Sequence, residues 1–291
     1  MLTKEEALTR LETDIKLRGR ADSTRNVYTY YISRFLDFCS DKKIEDIDEM
    51  DVRSYLEYLI TEKENAPRTV NTNSSAIRFF MAVTLNRTMN YLQIPLVKVP
   101  KQLPVILVRD EVSQLINTSK CDITFYTILL LGYGSGLRIS EVIRLKVSDI
   151  DSTTMRIKVC NSKGSKDRFT ILPKITLKAL RNYWLNFRPC PKGYLFPGIG
   201  ASGHISSSKI NNQFRKALRQ TNICKKVTFH TLRHCFATHL LEDGVGIFHI
   251  KSMLGHSSLS TTSLYLRLAN HTTEVVSPAD KLSTQIMEKS L

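Results

Sequence analysis

The chain has 291 residues, a formal net charge of +15 at pH 7 and a sequence pI near 9.6. That length suffices for a full core and most often divides into two domains, and a surface this basic attracts phosphates at long range, so a polyanion is the expected partner. Six cysteines lie far apart with no C-x-x-C pair, which argues against a disulfide framework or a zinc ribbon, and no segment is apolar for the length of a membrane span. The expectation is a soluble, cytoplasmic protein with no cofactor, no metal and no membrane partner.

The first 100 residues carry 15 Lys and Arg against 15 Asp and Glu, so the whole positive excess lies beyond residue 100. Within this neutral part the pattern predicts a helix over 3–18, with Thr3 as N-cap, Glu6 completing a capping box and Gly19 as the stop. Three more helices are predicted near 23–40, 48–62 and 67–86, from apolar spacing at Val27, Tyr30, Tyr31, Phe35 and Phe38, at Val52, Tyr55, Leu56 and Leu59, and at Ile77, Phe80 and Met81. Arg18, Arg20 and Arg25 crowd one stretch of this bundle and are candidates for DNA contact. The segment "PLVKVPKQLP" cannot continue a helix and marks a linker, placed at 95–106 between a helical domain (1–94) and a second domain (107–291).

In the second part helices are expected at 109–118 and 123–147, followed by two short strands, "TMRIKV" and "RFTILP", around the turn "CNSKGSKD". Further helices are expected near 174–188, 206–221, 230–243, 246–254, 259–268 and 278–288. The fold class is therefore mainly α with a small antiparallel β-sheet. "GIGASG" (198–203) imitates a dinucleotide-binding turn, but no Asp or Glu lies between Asp167 and Glu242 to hold a ribose, so it reads as a flexible loop.

Four segments carry chemistry. In "YGSGLRISEVIRL" Gly134 and Gly136 open a turn, Arg138 projects near a helix start where backbone N–H groups favour an anion, and Glu141 one turn later can hold its guanidinium. Lys163 sits in the turn between the strands, with Lys166 and Arg168 close enough in sequence to meet backbone phosphates. In "HTLRHCFATH" the residues Leu232, Cys235, Phe236, His239 and Leu240 form a core-facing stripe, which makes His239 a hydrogen-bonded core histidine. His230, Arg233 and His234 fall on the other face. The permanent charge of Arg233 between the two imidazoles disfavours zinc, leaving a solvated face or a grip on an anion. Finally "LGHSSLSTTSLY" places His256 after a glycine and Tyr265 nine residues further on.

Taken in order, the Arg of "GLRISE", the Lys of "SKGSKDR", the His and Arg of "HTLRH", the His of "LGH" and the Tyr nine residues later resemble the tyrosine recombinases, the phage-integrase and Xer-like enzymes, over residues 107–268. Ser162 departs from the glycine that many members carry before the lysine. The resemblance implies a SAM-like core-binding domain ahead of a catalytic domain. It implies Arg138 and Arg233 as phosphate clamps, Lys163 as the hairpin lysine, His230 and His256 as the two histidines and Tyr265 as nucleophile, with Glu141 and His234 in support. It also implies strand cleavage through a 3′-phosphotyrosine on double-stranded DNA with paired sites, in a homotetramer formed from chains that are monomeric off DNA. A tail helix over 277–291 is expected either to pack on its own domain or, as the resemblance favours, to dock on a neighbouring protomer. A type IB topoisomerase that nicks and reseals, or a DNA-binding protein without cleavage, are the alternatives.

Overall fold

A computed structural model describes residues 2–90, 94, 96–100, 103–160, 167–186, 193–198 and 203–269. Lys163, Lys166, Cys190, residues 199–202 of the glycine-rich loop and the 277–291 tail lie outside the described residues. The chain separates into two compact units, Met1–Gln102 and Leu103–Leu291.

The first unit holds α1 (Lys4–Leu17), α2 (Asp22–Phe38), α3 (Glu49–Thr61) and α4 (Pro67–Phe79), which runs on into a wider π-helical turn, Phe80–Thr84. The predicted capping box is present: Thr3 Oγ1 accepts from the Glu6 N–H at 3.2 Å and Glu6 Oε2 accepts from the Thr3 N–H at 2.9 Å. Gly19 follows α1 with φ +62°, the left-handed conformation that ends a helix at little cost to a residue without Cβ. The core gathers Leu11, Ile15, Ile32, Phe35, Val52, Ile77 and Phe80. Three expected core positions on α2 are corrected: Val27, Tyr30 and Phe38 are exposed. The buried stripe of α2 is Ile32, Phe35 and Leu36, and Tyr30 instead accepts a hydrogen bond at 3.1 Å from Arg34 one turn on.

The second unit contains α5 (Arg109–Asn117), α6 (Ile123–Gly134), α7 (Ile139–Val142), β1 (Ile150–Asp151), β2 (Arg156–Val159), β3 (Arg168–Ile171), α8 (Lys174–Asn186), α9 (Ser207–Arg219), α10 (Phe229–Glu242), α11 (Ile247–Leu254) and α12 (Leu259–Ser263), which passes into a 3₁₀ turn, Leu264–Arg267. Helix α6 is apolar nearly all round, as a central helix must be, and packs on both α8 and α10. Gly132 lets α10 come close, since a Cβ there would lie 2.6 Å from the Phe229 ring.

The continuous helix expected over 123–147 is broken at 135–138. Gly136 has φ +65°, and a Cβ on it would stand 2.4 Å from the Phe236 ring, so helix propagation stops and the chain turns beneath α10. Thr170 Oγ1 donates to the Ser135 carbonyl at 2.8 Å and fastens this break to the sheet. Gly136→Ala is expected to lower stability by about 2–4 kcal/mol, from left-handed backbone strain plus overpacking; an unchanged urea midpoint would refute it.

The sheet is antiparallel in the order β1-β2-β3, and β1 is a short addition to the two strands read from sequence. Its register pairs Ile157 with Thr170 and Val159 with Arg168 on one face, and Lys158 with Phe169 on the other. Ile157, Val159, Thr170 and Arg168 are all buried while Phe169 is exposed. Strand alternation therefore turns the Arg168 side chain inward.

Candidate active site

Four pieces of the second unit converge: the break before α7, the start of β3, α10, and the segment from the end of α11 through α12. At their centre is Glu141, whose carboxylate faces three arginines. Arg138 donates from its backbone N–H to Oε2 at 2.8 Å and from Nη1 to Oε1 at 2.7 Å. Arg168 makes a two-pronged contact, Nη1 to Oε1 at 2.9 Å and Nη2 to Oε2 at 2.8 Å. Arg233 Nη1 lies 3.7 Å from Oε2. Burial works to raise the Glu141 pKa, but the Arg168 hydrogen bonds and charge, helped by Arg138 and Arg233, hold it down to about 2. The carboxylate is therefore ionised at any working pH, and it offsets part of the mutual repulsion of the three cations.

This arrangement corrects two expectations. Arg168, expected to face backbone phosphates, is 8% exposed, with its fork on Glu141 and Nε donating to the Met253 carbonyl at 2.8 Å. The anion site expected from helix dipoles at Arg138 also fails, because α7 spans only four residues and the Arg138 N–H is already taken by Glu141. What remains of Arg138 is its guanidinium, whose side chain keeps 29% of its surface in solvent.

On α10 the expected division into a core face and a polar face holds for His239 and fails for Arg233. His239 is buried, with Nδ1 3.0 Å from the Tyr133 hydroxyl. Arg233 is only 1% exposed and donates to two backbone carbonyls, Gly136 at 2.8 Å and Leu254 at 2.5 Å. Burial and the Arg138 charge pull its guanidinium below the ordinary arginine range. An anion that reached this pair of arginines would relieve both effects.

The imidazoles lie around the arginines in neutral form. Burial, then the charges of Arg233 and Arg138, lower the His230 pKa. Burial, with His230 and Arg233 nearby, lowers His234 to about 4, and burial together with Arg233, Arg138 and Arg168 lowers His256 to about 3. His256 Nδ1 is 2.9 Å from Thr262 Oγ1, and the His230 and His234 rings meet edge to face with centroids 4.7 Å apart. Tyr265 is 2% exposed, and its hydroxyl is 3.0 Å from His234 Nδ1. Burial raises the Tyr265 pKa while Arg233 and Arg138 pull it back, so the phenol is neutral. Among the described residues no group of three or more His, Cys, Asp or Glu comes together as a metal site.

Of the sequence candidates in this unit, Arg138, Glu141, Arg168, His230, Arg233, His234, His256 and Tyr265 are thus brought together, and Lys163 and Lys166 lie outside the described residues. In the first unit Arg18 is exposed beyond the end of α1, Arg20 lies with its guanidinium carbon 5.2 Å from the centroid of the Phe79 ring, and Arg25 pairs with Asp22 at 2.8 Å.

One basic surface went unread in the sequence. Helix α9 buries Ile210, Phe214 and Ala217, and its other side exposes Lys209, Arg215, Lys216 and Arg219. A cleft of about 370 Å³, lined by Asn211, Arg215, Ile139, Thr228 and His230 among others, lies beside this face. The signal was present: four basic residues opposite an i, i+4, i+7 apolar stripe, in a stretch without an acidic residue.

Residues 106–271 match the phage integrase family and residues 8–91 the phage integrase N-terminal SAM-like domain. A putative integrase/recombinase of Sinorhizobium fredii, y4qK, is 39% identical over 263 residues, covering 90% of this chain and 84% of the relative. Tyrosine recombinase XerA of Pyrococcus furiosus is 35% identical over 290 residues, with 97% of each chain covered. The fold matches that of the Tn1549 transposon integrase, solved in complex with circular intermediate DNA, with a TM-score of 0.70 at 16% identity, covering 96% of this chain and 98% of that one. With both segments of the chain matched and relatives aligned along nearly its full length, the protein belongs to the phage integrase family and is a tyrosine site-specific DNA recombinase.

Proposed function

We propose that Tyr265 is the nucleophile of this recombinase and that Arg138 and Arg233 clamp the scissile phosphate of double-stranded DNA. The observation that carries the reading is the two arginines set on one carboxylate, with Tyr265, His230 and His256 as their neighbours. The Tyr265 hydroxyl gives up its proton, for which neutral His234 Nδ1 stands 3.0 Å away, and its oxygen forms a bond to phosphorus as the bond to the 5′-oxygen breaks, leaving a 3′-phosphotyrosine; a 5′-hydroxyl from another strand reverses the step. The phosphodiester energy is kept in the covalent intermediate, so no nucleotide cofactor is needed. A phenol with pKa near 10 is a weak nucleophile at pH 7, and the two guanidiniums offset the charge that grows on the phosphoryl oxygens. His230 and His256 add donors to the same oxygens, and Lys163 supplies the proton to the leaving 5′-oxygen. His234 holds the Tyr265 hydroxyl.

The basic face of α9, with Arg18, Arg20 and Arg25 of the first unit, tracks the DNA backbone. Residues 1–94 act as the core-binding domain and 107–291 as the catalytic domain. Four protomers, monomeric off DNA, assemble on paired sites, with the 277–291 tail reaching a neighbour. The test is covalent capture: purified protein is mixed with nicked duplexes covering the DNA that flanks its gene, in EDTA, and denatured. A species that survives denaturation and is released by a tyrosyl-phosphodiesterase supports the reading, and exchange of strands between two duplexes separates recombination from simple relaxation. Binding with no covalent species, or a strict requirement for a divalent metal in cleavage, overturns it.

A further inference from the structure

We propose that Arg168 is a positioning residue for strand cleavage: it yokes β3 to Glu141, and through that carboxylate fixes Arg138 and Arg233. This inference rests on the function proposed above. Its geometric basis is that Arg168 spends its donors inside the protein. Two go to the two oxygens of Glu141, at 2.9 and 2.8 Å, and Nε goes to the Met253 carbonyl at 2.8 Å, two residues before the turn that leads into His256. The chain at that turn is shaped to the side chain. Gly255 has φ +66°, and a Cβ there would lie 2.6 Å from Arg168 Cδ.

One guanidinium thus touches three parts of the site: β3 by its own backbone, α7 through Glu141, and the end of α11 through Met253. Glu141 in turn holds Arg138 by backbone and side chain, and faces Arg233. Without Arg168 the carboxylate loses two of its four hydrogen bonds, and its link to β3 and the end of α11 is cut, leaving the two bonds from Arg138 and the approach of Arg233 to orient it. Lysine is not equivalent, because a point charge on a flexible stem cannot hold two carboxylate oxygens and a carbonyl in one plane. The inward pleat at Arg168, opposite Val159, ties any displacement of β3 to the phosphate clamp.

The test uses the full-length chain and a nicked duplex carrying the site that the unmodified chain cleaves. Arg168→Lys and Arg168→Ala are compared with it below the temperature at which either begins to unfold, followed by circular dichroism. The expected result is a covalent-adduct rate at saturating DNA slower by about 10²-fold, the effect of misplacing reacting groups by roughly an ångström, with DNA affinity within about threefold of the unmodified chain. Millimolar guanidinium, but not equal sodium chloride, should restore part of the rate to Arg168→Ala. Folded variants that cleave at the unmodified rate overturn the inference. So does a loss seen in affinity, with the salt slope falling by about one as for a lost phosphate contact. If the unmodified chain itself forms no adduct, the proposed function falls and the inference falls with it.

Discussion

Tyr265→Phe is expected to abolish the covalent protein–DNA species while leaving DNA affinity within about threefold of the parent chain. The substitution removes one oxygen and keeps the ring, which packs with Phe236, Ile250 and Leu254 in a satellite core. The lost hydrogen bond to His234 costs about 1 kcal/mol, too little to unfold the domain. The measurement is gel detection of adduct on the nicked duplex, with a filter or anisotropy titration of binding alongside. Parent-level adduct from the Phe variant would remove Tyr265 from the mechanism. Because Tyr265 is 2% exposed with its hydroxyl turned to His234, adduct formation is expected to come with a shift of the 264–267 turn when DNA binds.

Arg138→Ala and Arg233→Ala are each expected to slow cleavage by roughly 10²-fold or more, by analogy with removing one donor to a developing oxyanion. The two differ in what else they disturb. Arg138 keeps part of its side chain in solvent, so its loss should register in rate with little change in melting temperature. Arg233 is 1% exposed, and truncating it strands the Gly136 and Leu254 carbonyls and leaves Glu141 with one cation fewer, a stability cost of about 3–5 kcal/mol. Rates for that variant belong at a temperature where it is folded. Equal melting temperatures for the two variants would contradict the burial difference, and a parent-like rate for either would contradict its place in the clamp.

Most helices of both units were legible in the sequence, because their burial follows a 3.6-residue period that composition alone carries, as at Leu11 and Ile15 or Ile210 and Phe214. Boundaries set by tertiary contact were not. The break before α7 depends on Phe236 standing where a Gly136 Cβ would be, a contact exactly a hundred residues away in sequence. The candidate site residues were legible as an ordered set of chemistries, but the inward turn of Arg168 was not. Which way a strand residue faces depends on its register, and Arg168 stands close to Lys166 in a chain where basic residues suggest DNA. Glu141 was read as partner to one arginine because only the Arg138 spacing is local; the other two arrive from β3 and α10.

Arg233 is held by main-chain oxygens of residues 136 and 254, and every amino acid supplies the same oxygen. Side-chain replacement at either position cannot delete these acceptors; only a change in the path of the backbone can. The support of this buried cation is therefore insulated from ordinary genetic drift, and is exposed to selection mainly through whatever keeps the chain's course, such as the glycine at 136. Such a support can persist between chains that agree in fold while sharing few residues, since it is written in the course of the backbone and not in the identity of its neighbours.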